Sequence, residues 1–139
     1  MKLNFSMKSL ALVSVLGFGF VAPVIADETP LEEEMSVMSK SLKGLRRAKT
    51  TEVKVKLIQK AQLATLKSLE YLPMIFKDIK DDAEKAKATA DYKTMVGQSY
   101  VKFCQLETAY LEGDEEAADT LLSEIKDLRK AGHRKYIED

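Results

Sequence analysis

Leu31, Met35, Met38, Leu42 and Leu45 follow one another at spacings of 4, 3, 4 and 3. That rhythm lays a single apolar stripe along a helix and, in a short chain, dictates packing against other helices. It recurs three more times. Val53, Leu57, Ala61 and Ala64 mark a second segment. Tyr92, Val96, Ser99, Phe103, Leu106 and Tyr110 mark a third, and Ala118, Leu121, Ile125, Leu128 and Gly132 a fourth. No strand signal competes with these four stripes. Six Gly and three Pro in 139 residues leave little material for the many turns of a sandwich or barrel.

The punctuation between the stripes agrees. Thr29 can cap the first helix, Pro30 suits its first position, and Glu32 completes a capping box. Thr50 or Thr51 caps a second helix over about residues 52–70, which should stop at Tyr71-Leu72-Pro73 because a residue before proline disfavours helical geometry. Residues 73–82 form the longest connection. The third helix runs to about Leu111. Gly113 then reads as its stop, and Asp114 as the cap of the fourth helix, with Glu115 and Glu116 at the positive end of its dipole. Short connections make neighbours antiparallel, so the expected fold is all-α, an up-down-up-down four-helix bundle.

Residues 1–26 stand apart. Lys2 and Lys8 precede an almost wholly apolar run over residues 10–21, and Val24-Ile25-Ala26 presents small residues where a signal peptidase cuts. The run is short for a membrane span. The expected mature protein is residues 27–139, a single exported domain, monomeric, periplasmic and free of the membrane once the leader is gone. Two lysines and no acid leave with the leader, so a chain with 22 basic and 22 acidic residues ends slightly acidic. That balance disfavours a nucleic-acid-binding domain.

One Cys and one His exclude a disulfide framework and any multi-Cys/His zinc site. No Glu-x-x-His pair, phosphate-binding glycine loop or catalytic constellation is present, and no enzyme activity is expected. Cys104 beside Phe103 reads as a buried structural thiol, and Tyr71, Tyr100 and Tyr110 as packing residues. Antiparallel alternation brings the start of the first helix and the end of the last to one end of the bundle. Met35 and His133 could meet there, and a thioether facing an imidazole is the axial pair of a six-coordinate electron-transfer haem. Taken alone, a Met in such a stripe is ordinarily packing, and a His within His133-Arg134-Lys135 ordinarily complements the helix dipole.

Residues 28–45 and 127–136, with the runs LEEEMSVMSKSLK and LRKAGHRKY, resemble the two ends of the soluble cytochrome b562 family. EVKVKL at the second helix, Leu72-Pro73 and Glu112-Gly113 fall in the same register. The resemblance implies an electron carrier with one non-covalent haem b, its iron held by Met35 and His133, and a redox partner protein that the sequence does not name. It implies that Leu31 and Met38 flank the ligand Met, that Leu72 and Pro73 press on the haem edge, and that Tyr92 and Val96 pack from the third helix. Arg129 would lie close to the haem. Covalent attachment would need a Cys-x-x-Cys-His run, which is missing. The chain departs from the family where Gly132 replaces a Tyr before the His, and where Lys60 stands at a position usually occupied by an apolar Met. The connection between the second and third helices also looks longer. A helical bundle that carries no haem and serves as an interaction, sensor or stress module is the competing expectation.

Expressed from its full gene in a Gram-negative host, the protein should accumulate in the periplasm with its N-terminus at or near Asp27. N-terminal sequencing checks this, and an intact leader retained in the membrane fraction would contradict it.

Overall fold

A computed structural model describes residues 28–137; the leader and its cleavage site lie outside them. The order is α1 (Pro30–Leu45), α2 (Thr51–Ser68), a single 3-10 turn (Met74–Lys77), α3 (Asp82–Glu112) and α4 (Glu115–Tyr136), with no strand among the described residues. None of these helices is long and apolar enough to cross a membrane.

Each start is fastened by a side chain. Thr29 and Glu32 form the reciprocal capping box of α1, and Thr50, Asp81 and Asp114 accept backbone N–H groups at the other three helices. α3 ends at Gly113 with φ 74°, a left-handed conformation that spares only glycine a steric cost. There Asp114 N–H reaches Ala109 and Gly113 N–H reaches Tyr110, closing the last turn as a Schellman motif. α2 stops at Ser68, slightly before the expected boundary. Leu69, Glu70 and Tyr71 still donate to carbonyls three residues back, so the chain tightens rather than breaking at the proline. The connection that follows is not featureless, because its 3-10 turn buries Phe76.

Consecutive helices pack closely and antiparallel, whereas α1 and α4 make few close backbone approaches. Two clusters fill the bundle. The larger occupies the end where α2 begins and α3 finishes. Ile58, Phe103, Leu106 and Ile125 are essentially sealed there, and Ala61, Ala109 and Ala118 let the helices approach. The smaller, around Phe76, Tyr92 and Tyr136, lies at the opposite end. Between them the interior is hollow. The stripe on α1 records this, since only Leu45 of its five members is fully buried. Leu31, Met35, Met38 and Leu42 remain half-buried along the cavity.

Across the helices, Lys54 pairs with Glu115 above the Tyr110 ring, Lys102 with Glu124, and Gln59 and Gln62 both donate to Glu107. Such exposed links favour the register more than they stabilise the fold. Apolar burial at the solid end supplies most of the stability. Phe103→Ala should therefore lower the unfolding free energy by about 3–5 kcal/mol while leaving a helical far-UV spectrum. A shift of the urea midpoint at unchanged slope would show it, and a change under 1 kcal/mol would contradict this account of the core.

Candidate cofactor cavity

The hollow end holds a cavity of about 480 Å³ between α1 and α4, closed below by α2 and α3 and lined mainly by apolar atoms. Its volume lies within the range of small-molecule and cofactor sites. It opens to solvent on one side, where Arg129 and His133 are exposed.

The walls follow from helix register. Leu31, Met35 and Met38 lie one turn apart on α1 and line one side; Arg129 and His133, four apart on α4, line the other. Tyr92 and Val96 contribute from α3, and Pro73 from the connection. Leu72 does not reach the cavity: its side chain is 42% exposed, and Pro73, Met74 and Ile75 form that part of the wall. Lys60 is also outside, exposed on α2. The α2 wall is formed instead by Thr65 and Ser68, so the lysine does not intrude on the cavity. Both hydroxyls are satisfied internally. Thr65 donates to the Ala61 carbonyl at 2.7 Å and sits 3.1 Å from the Met38 sulfur, and Ser68 lies within hydrogen-bond distance of the Ala64 and Thr65 carbonyls. These short polar residues therefore make room without adding free polarity.

Gly132 is the second source of room. A Cβ at this position would lie 3.3 Å from the Met95 sulfur, so a thioether occupies the space beside α4 that a larger side chain would take. Met95 escaped the sequence reading, although it stands three residues after Tyr92 on the same face. Tyr136 did too, yet it continues the spacing of Leu128 and Gly132 by four. Phe76 carried no periodic signal, because it lies in a connection.

Phe76, Tyr92 and Tyr136 meet edge to face, with centroids 5.4–6.1 Å apart; Tyr92 and Tyr136 line the cavity and Phe76 packs behind them. Two hydrogen bonds anchor the trio. The Tyr92 hydroxyl donates to the Ser68 carbonyl at 3.1 Å, and the Tyr136 hydroxyl donates to Asp91, which also receives Lys135. Burial pushes the Tyr92 phenol up to about 12. Burial, and then the bond to Asp91, push Tyr136 up as well. The hydrogen bonds from Lys135 and Tyr136 hold Asp91 below the usual carboxylate range. Both phenols thus stay neutral donors.

His133 presents part of its ring to the cavity and part to solvent. Partial burial, and then the neighbouring Arg129, lower its pKa below the ordinary value. The unfolded chain therefore takes up this proton first, so acidification through that window favours unfolding. At neutral pH the ring is an uncharged donor, the form that binds metal. Among the described residues no three His, Cys, Asp or Glu side chains cluster as a metal site. Cys104 is half-buried rather than enclosed, and it does not line the cavity.

An antiparallel four-helix bundle hollowed at one end, with thioethers and one imidazole in facing walls, belongs to the class that carries a cofactor between its helices. The match to the cytochrome b562 family model covers residues 30–136, and the chain belongs to that family. The family consists of haem-binding electron-transfer cytochromes and binds haem of the b type. No curated protein matches the chain.

Gly132→Ala should stabilise the protein by up to about 1 kcal/mol, because the flexible end of Met95 can give way while the helix gains the propensity difference. Thermal unfolding of the two proteins checks this. Destabilisation would mean that Met95 is locked in place.

Proposed function

We propose that this chain is a periplasmic electron carrier that holds one haem b non-covalently, with Met35 and His133 as axial ligands. The observation that carries the reading is that His133, the chain's only imidazole, and Met35, one of two α1 thioethers in the wall, border the same mainly apolar cavity. When bound, haem supplies a one-electron iron couple, and methionine ligation favours its reduced form. The residues around it have separable tasks. His133 holds the iron through a nitrogen that is neutral at physiological pH. Leu31 and Met38 flank Met35 and keep water from it. Tyr92, Val96 and Pro73 would pack against the haem, and Arg129 would lie close to it at the mouth. Tyr92 and Tyr136, backed by Phe76, wall one part of the cavity and would keep water from a bound haem on that side.

Non-covalent binding is supported by the lone Cys104 standing away from the cavity. The periplasmic location rests on the charged and apolar pattern of residues 1–26.

The test is the visible spectrum of the purified protein and two variants. The reduced protein should show the sharp bands of low-spin six-coordinate iron. His133→Ala should lose most haem, since no second imidazole exists to replace it. Met35→Ala should keep haem on His133, but the iron should become five-coordinate or water-ligated and its potential should fall. A spectrum indifferent to both substitutions would overturn the ligand assignment. A protein that stays colourless after incubation with haem would overturn the electron-carrier reading.

A further inference from the structure

Charge is distributed unequally along α4. From Glu115 to Glu124 there are four acidic residues and no cation, whereas from Lys126 to Lys135 there are five Lys or Arg and only Asp127 as an acid. The helix dipole favours this order, but its influence is confined to the first and last turns. Lys126 stands ten residues before the end of α4, nearly three turns back. The dipole therefore does not account for the whole basic stretch.

Helical register aims most of it at the cavity mouth. At 100° per residue, Lys126, Arg129, Lys130 and His133 share one flank, and Arg129 and His133 line the cavity. All four are exposed. Lys126 and Arg129 have no ion-pair partner among the described residues, and Lys130 lies 3.9 Å from Asp127. Lys135 points away and is held by Asp91 on α3. The facing rim on α1 offers the hydroxyls of Ser36 and Ser39 and one acid, Glu32, whose carboxylate accepts from the Thr29 backbone N–H at 2.6 Å and keeps its charge. A chain with equal numbers of acidic and basic residues thus presents a positive rim at one place.

We propose that the exposed flank Lys126–Arg129–Lys130 is the docking surface for an electron-transfer protein that presents an acidic patch to the cavity mouth. The inference rests on the haem reading for its purpose, and on charge complementarity for the kind of partner. With screening over about 8 Å at physiological salt, an approaching protein senses this local rim rather than the balanced total. Complementary charge raises the encounter rate and fixes the orientation, here with the cavity mouth toward the donor or acceptor.

The experiment has a haem-independent part and a haem-dependent part. In the first, the ¹⁵N-labelled full chain as purified is titrated with the paramagnetic anion hexacyanochromate(III). Amides over residues 126–134 should broaden first, and 0.5 M salt should reverse the effect. Lys126→Glu/Lys130→Glu should abolish it, whereas Lys60→Glu/Lys93→Glu, on α2 and α3, should not. Uniform broadening, or a first response elsewhere, would overturn the surface assignment even if haem binds. In the second, the haem-loaded protein is oxidised by hexacyanoferrate(III) or by cationic tris(phenanthroline)cobalt(III). Rising ionic strength should slow the anionic reaction and speed the cationic one, and Lys126→Glu/Lys130→Glu should slow the anionic reaction about tenfold at low salt. The opposite salt dependence would overturn the proposal. Failure to load haem would instead count against the electron-carrier reading and leave the NMR map to judge the surface. Cosedimentation with phosphatidylglycerol vesicles, together with no resonance shifts on adding an acidic [2Fe–2S] ferredoxin, would assign the flank to a membrane and overturn the protein-partner proposal.

Discussion

The separation of α1 from α4 at one end of the bundle is the constraint on which the rest depends. Four amphipathic helices left to themselves close around a common core, because every square ångström of apolar surface removed from water contributes. Here they close only at the end where Ile58, Phe103, Leu106 and Ile125 interlock. At the other end Thr65, Ser68, Ser99 and Gly132 are too small to fill the centre, and α1 keeps half its stripe uncovered. The solid end stabilises the fold, while the hollow end is free to meet the needs of a cofactor.

That division makes the aromatic trio important beyond its own burial. Phe76 comes from the 3-10 turn, Tyr92 from α3 and Tyr136 from the last residue of α4, so three distant parts of the chain close one end. Their hydrogen bonds tie α4 to α3 through Asp91, and α3 to the end of α2 through Ser68. A hollow bundle would otherwise fray at its C-terminus, where His133 sits. Clamping Tyr136 holds the imidazole three residues earlier in a defined place on the wall. Preorganisation of this kind would keep His133 oriented as the proposed haem ligand.

The electrostatic arrangement follows the same division. Inside the cavity the polar groups are satisfied hydroxyls, phenols held neutral and an imidazole whose protonation is disfavoured. The charges lie on the rim, on α4 above all. Desolvated charge in the interior would be costly, whereas the same residues in water cost little and act over a Debye length. A neutral interior behind a positive rim suits a redox centre that must be shielded from water yet found by a partner.

Much of this was legible in the sequence. The recurring 3–4 spacing, the caps at Thr29, Thr50 and Asp114 and the stop at Gly113 determined the helices and their antiparallel order, because each depends on neighbours within one or two turns. The family's ends, around Met35 and His133, were legible for the same reason. What only the tertiary structure decided depends on distance across the bundle. Periodicity tells which face of a helix turns inward but not whether the opposite helix arrives to meet it, so the α1 stripe read as a packed seam when it borders a cavity. Leu72 and Pro73 are adjacent in sequence, yet the turn buries only the proline. Lys60 stands where the family usually has an apolar residue, yet α2 turns it to solvent and presents Thr65 and Ser68 to the cavity. Phe76, with no helical spacing to betray it, packs behind Tyr92 and Tyr136 of the cavity wall, a contact between distant parts of the chain that is written in no local pattern.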